Sequence, residues 1–76
     1  LVVRREKRGR AGKTVTRVAG LALAPEGLEE LAGRLKRALG CGASVEAGEV
    51  LVQGDQVERC AAWLESELQV RVTLGN

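Results

Sequence analysis

The chain opens Leu1-Val2-Val3-Arg4-Arg5-Glu6-Lys7-Arg8-Gly9-Arg10-Ala11-Gly12-Lys13-Thr14-Val15-Thr16-Arg17-Val18-Ala19-Gly20. Two β-forming runs flank a cationic, glycine-bearing middle. Leu1 to Arg5 reads as a strand, carried by Val2 and Val3. Thr14 to Gly20 reads as a second, carried by the β-branched Thr14, Val15, Thr16 and Val18. Lys7 to Lys13 then forms the turn of a hairpin, longer than a two-residue connection requires. Seven of the twelve basic residues lie here: Arg4, Arg5, Lys7, Arg8, Arg10, Lys13 and Arg17. Only Glu6 opposes them, so residues 1–17 are net +6, while the rest of the chain has five basic and nine acidic residues, net −4. The formal total of +2 hides that division. A basic loop at about residues 5–13, shaped by Gly9 and Gly12, fits a phosphate backbone. Arginine forks pair with phosphate oxygens in a bidentate way, and glycine lets the backbone approach closely.

Beyond the hairpin, Pro25 opens a helix, where its missing N–H and fixed φ suit the first turn. Glu26, Glu29 and Glu30 lie towards the positive end of that helix dipole, and Lys36 and Arg37 towards the negative end. Leu28, Leu31, Ala32, Leu35 and Leu39 recur at spacings of three and four, which is one apolar face, and Gly40 supplies the C-cap. Gly27 and Gly33 each weaken the helix by up to about 1 kcal/mol relative to alanine. Gly33 stands either against a close neighbour or on the solvated face. Ala43 to Ala47 and Glu49 to Gln53 read as short strands joined at Gly48, which suits a turn with positive φ. Asp55 is placed as N-cap of a second helix with Glu58 at the capping-box spacing. That helix runs to about Glu67, with Val57, Cys60, Ala61 and Leu64 facing inward and Trp63 off the centre of the stripe. Val70, Val72 and Leu74 alternate with Arg71 and Thr73 in a last strand. The order β-β-α-β-β-α-β, with two amphipathic helices and a short chain, gives an α+β fold. Both helices pack on one face of a five-stranded sheet, a two-layer α/β sandwich.

Seventy-six residues make a single domain, and with no Phe or Tyr and one Trp the core is built from Val, Leu and Ala. The absence of histidine and tyrosine excludes Ser-His-acid and Cys-His catalysis, and Ser44 has no base beside it. No enzyme activity, cofactor or metal site is expected, since the two cysteines, Cys41 and Cys60, lack Cys/His ligand spacing. They fit a reduced, cytoplasmic setting, and no apolar run is long enough to span a membrane. Gly12-Lys13-Thr14 ends like a nucleotide-binding loop, but residue 7 is lysine where the first glycine belongs, and a strand follows rather than a helix. The lack of aromatics in the basic segment argues against stacking on single-stranded bases and for reading the shape and backbone of folded RNA.

Several stretches together resemble the Sui1 family of translation initiation factors, more closely its short prokaryotic YciH-like members than eukaryotic factor 1. They are residues 5–16, Gly20-Leu21, Leu35 through Gly42, and Val52-Gln53-Gly54-Asp55. The resemblance implies an α/β plait that binds the small ribosomal subunit near the peptidyl site and assists discrimination of start codon and initiator tRNA. It implies rRNA and the initiator tRNA/mRNA complex as partners, leaves other initiation factors open, and involves no membrane. Carried over, the RNA-binding residues are Arg4, Arg5, Lys7, Arg8, Gly9, Arg10, Gly12 and Lys13, with a secondary surface at Gln53, Asp55 and Gln56. The rival readings are a small regulatory protein-binding module and a general RNA-binding protein.

Overall fold

The structure, a computed structural model, describes residues 1–8 and 12–75, and of Arg8 the backbone alone. The elements are β1 (Val2–Arg8), β2 (Lys13–Ala19), α1 (Pro25–Leu39), β3 (Ala43–Glu46), β4 (Glu49–Gln53), α2 (Val57–Leu68) and β5 (Thr73–Leu74). They form one five-stranded sheet in the order β3-β4-β2-β1-β5, mixed because β5 runs parallel to β1 while the other pairs are antiparallel. Both helices lie on one face, as the expected two-layer architecture requires.

Register explains the core. Val3 pairs with Val18, Val18 with Val50, and Val50 with Val45, so valines from four strands line up in one row beneath the helices. Val3, Val18 and Val50 are fully buried. The α1 stripe of Leu28, Leu31, Ala32, Leu35 and Leu39 closes over the β3–β4 side, and Cys60, Ala61 and Leu64 of α2 complete the cluster. Helix α1 starts at Pro25 and ends at Gly40, whose φ of 69° is left-handed and whose N–H donates to the Lys36 carbonyl at 2.9 Å. The nearest foreign atom to a Cβ placed on Gly33 is Arg37 Nη1 at 3.9 Å, so this glycine stands on the open side of the helix.

Four local expectations are corrected. The hairpin strands run further than their apolar residues suggest, with pairing continuing through Lys7↔Thr14 to Arg8↔Lys13. Charge there suggests a loop, yet alternating long side chains continue a ribbon readily when both of its faces meet water. The last strand is shorter than Val70–Leu74: only Thr73–Leu74 pairs, with Val2 and Val3. Gln69 turns left-handed at φ 52°, and residues 70–72 are spent returning from α2 to the sheet edge. Strand β3 stops at Glu46, because Ala47 joins Gly48 in the turn, both at positive φ. Finally, Asp55 does not cap α2. The N-cap position is Gln56, without a side-chain cap bond, and Val57 is the first helical residue.

The turn before α2 shows why Asp55 is not the cap. Thr16 is fully buried in the central strand, and its hydroxyl donates to the Gly54 carbonyl at 2.9 Å and accepts from the Gln56 N–H at 2.8 Å. The turn before α2 is thus fastened to β2 by its backbone, and the Asp55 carboxylate is taken by Arg5.

Candidate nucleic-acid interface

The strand register sorts the charged residues of the hairpin between two faces. Arg5 and Lys7 share the helix-side face with Val3, while Arg4 and Glu6 lie on the open face with Arg17. Lys7 and Lys13 are exposed at the far end of the ribbon. Gly12 has φ +63° with nothing within 4 Å of a Cβ, so backbone conformation rather than space asks for glycine there. Gly9, Arg10 and Ala11 lie outside the described residues, as does the side chain of Arg8.

Two arginines are committed to the protein's own carboxylates. Arg17 sits in the middle of the open face with its side chain only 11% exposed, bonded to Glu6 at 2.6 Å and to Glu49. Its hydrogen bonds to Glu6 and then Glu49 push its guanidinium further above the ordinary arginine range. These bonds also offset the like-charge neighbour directly across the ladder, Arg4, whose Nε is buried without a hydrogen-bond partner among the described residues. Arg17 is therefore a strut of the sheet. Arg5 meets Asp55 at 3.0 Å, but the two side chains are 65% and 51% exposed, so water weakens the pair and a phosphate can compete for Arg5.

The secondary surface lies against the hairpin base. The Gly54 N–H donates to the Thr14 carbonyl at 2.9 Å, and Arg5, Glu6, Lys7, Thr14 and Asp55 line one hollow of about 300 Å³. Gln53 is exposed at the end of β4, and its backbone N–H donates to the Gly42 carbonyl at 2.8 Å. A Cβ on Gly42 would stand 2.8 Å from Gln53 Cδ, so a side chain there would push the exposed Gln53 amide aside. Gln56 is half-buried and accepts from Arg59 at 3.1 Å.

The sequence alone does not single out two further cations at this end. Lys36, in the last turn of α1, lines a groove of about 540 Å³ with Lys13, Gln53 and Gly42. Arg59, in the first turn of α2, shares a hollow of about 460 Å³ with Arg5 and Asp55. Lys36 is legible as a complement to the helix dipole, but only the fold shows which end of the molecule the α1 terminus occupies.

A family model described as translation initiation factor SUI1 matches residues 1–71. The chain belongs to the SUI1 family. The uncharacterized protein YciH of Escherichia coli (strain K12) is 35% identical over 74 residues, which is 96% of this chain and 68% of that protein. The protein translation factor SUI1 homolog of Methanopyrus kandleri is 40% identical over 55 residues, 72% of this chain and 52% of its own. The uncharacterized protein sll0546 of Synechocystis is 45% identical over 56 residues, 74% of this chain and 50% of its own. This SUI1 domain is thus a translation initiation factor by family, in a non-catalytic class. No group of three or more His, Cys, Asp or Glu that could hold a metal is found among the described residues. No helix among them is long and apolar enough to cross a membrane.

Proposed function

We propose that this SUI1 domain binds the small ribosomal subunit near the peptidyl site by laying its hairpin on rRNA phosphates, and so assists discrimination between correct and incorrect start-codon pairing. The observation that carries the reading is the continuous pairing of β1 and β2 out to Arg8 and Lys13. It makes the hairpin a stiff arm whose far end carries Lys7 and Lys13. Arg8, Gly9, Arg10 and Gly12, between them in sequence, complete the RNA-binding set. Arg4 and Arg5 stand at its base. Gln53, Asp55 and Gln56 form an auxiliary contact on the same side, and Lys36 and Arg59 extend the cationic end. The mechanism is occupancy: the arm holds a position beside the codon–anticodon pair, and mismatched complexes lose the competition for it. Such a factor works in the cytoplasm, with rRNA and the initiator tRNA/mRNA complex as its partners.

Binding to isolated small subunits across a salt series tests this. Removing one cation that neutralises a phosphate lowers the slope of log affinity against log salt by about 1. Lys7→Ala, Arg8→Ala and Lys13→Ala together should flatten that slope by about 2 to 3. An unchanged slope in the triple variant would remove the proposal.

A further inference from the structure

At the end of the sheet opposite the hairpin tip lies an apolar groove of about 300 Å³, lined by Leu1, Leu21, Leu23, Leu68, Val70 and Arg71. Leu23 is 45% exposed and Val70 42%, so two of the three exposed large hydrophobic residues of the described chain stand in this one place. Most of its lining comes from residues 20–23 and 70–71, which belong to no helix or strand. Single exposed leucines are ordinary on a protein surface, whereas a concave group of them marks a contact.

The surroundings are acidic. Glu26, Glu29 and Glu30 occupy the first two turns of α1, and Glu65 and Glu67 the last turn of α2, all exposed. Helix α2 has no basic residue in its last turn, the reverse of what its dipole favours. Arg34 approaches Glu67 at 3.5 Å and offsets part of that charge, and Arg71 is the one basic side chain among the described residues that line the groove. Five carboxylates still outnumber the two. Exposed carboxylates on the two helix ends that flank an apolar floor favour a partner that brings cations and apolar side chains together, and they repel RNA.

We propose that this groove docks a basic peptide segment of a protein partner, one that places a leucine-like side chain between Leu23 and Val70 with lysine or arginine against the glutamates. The groove faces away from the hairpin arm, so the two surfaces can be occupied together. The inference does not depend on what the arm binds.

Titration of the isotope-labelled chain with a short peptide alternating leucine and lysine, followed by amide NMR shifts, tests the inference. Shifts should centre on residues 21–24 and 68–72. Leu23→Asp together with Val70→Asp, both at exposed positions, should weaken binding more than about tenfold while the remaining spectrum stays native. A lysine–serine peptide of equal charge should bind at least about tenfold more weakly, roughly what removing one well-buried apolar side chain costs. A leucine–glutamate peptide should not bind. Equal binding of the lysine–serine peptide, shifts centred elsewhere, or no binding at all would overturn the proposal. So would concentration-dependent self-association in sedimentation that the same double substitution abolishes, because it would assign the groove to a second copy of the chain.

Discussion

Thr16 holds a place where its polarity looks like an error: the fully buried interior of the central strand, in register with Val52. Its hydroxyl is satisfied as donor and acceptor by the turn before α2, and it satisfies a carbonyl and an amide in return. Valine has the same shape without the hydroxyl and leaves both backbone groups without their partner. Thr16→Val is expected to cost about 1–3 kcal/mol in urea denaturation, and Thr16→Ser, which keeps the oxygen, clearly less. If valine proves as stable as threonine, the hydroxyl is not what fastens the turn. Cys60 shows the opposite economy. Burial, with a smaller effect from neighbouring Cys41, pushes its thiol up to about 11 from an ordinary value of 9.0. Between those values the native state keeps a proton that the unfolded chain gives up, so the stabilisation is whole below about 9 and is lost as pH rises towards 11. Stability curves should therefore fall over that alkaline window, and Cys60→Ala should flatten the fall. Near pH 8 a thiol reagent should reach the half-buried Cys41 first and Cys60 only as the chain opens.

At the level of elements, the β3–β4 hairpin carries a correctable strain. Ala47 at φ 51° and Gly48 at φ 77° form a two-residue loop with both residues left-handed, between Glu46 and Glu49. Alanine in that region costs about 1–2 kcal/mol relative to right-handed backbone, and asparagine tolerates it better. Ala47→Asn is expected to raise the midpoint of thermal unfolding by a few degrees, for a gain of about 0.5–1 kcal/mol. No gain would mean that the turn is not left-handed in solution. This turn also shows how legibility divides. Gly48 is readable because glycine advertises positive φ, and Ala47 is not because alanine does not. Helix α1 is readable from end to end, since Pro25, the leucine spacing and Gly40 are all local signals. Strand β5 is half readable: alternation at Val70, Val72 and Leu74 is a local pattern, but where pairing starts depends on the path back from α2. Asp55 has the local look of a cap, and the threonine that fixes its turn lies 38 to 40 residues from its partners in the chain. For the candidate site, composition locates the basic arm. It cannot separate Arg17, a strut of the sheet, from cations that face solvent, because that depends on Glu49 arriving from another hairpin.

For the whole molecule, the division of charge along the chain becomes a division in space. Lys7 and Lys13 stand at one end of the β1–β2 ribbon with Lys36 and Arg59 near its base, while Glu26, Glu29, Glu30, Glu65 and Glu67 gather towards the other end. The run of β1 from Val2 to Arg8 spans roughly 20 Å at strand rise, and the longest extent of the chain is 34 Å. Screening decides what the acidic end does to RNA binding. At 0.1 M salt the Debye length is about 10 Å, so charges towards opposite ends of the molecule are largely screened from one another and the glutamates should have no effect. At 0.01 M it is about 30 Å, and their repulsion reaches the bound phosphates. Glu26→Gln, Glu29→Gln and Glu30→Gln together should therefore leave affinity for small-subunit rRNA unchanged at 0.1 M and strengthen it only near 0.01 M. An increase of similar size at both salt concentrations would mean that RNA contacts the first turns of α1 directly. The acidic end would then lie within the RNA footprint instead of facing a protein.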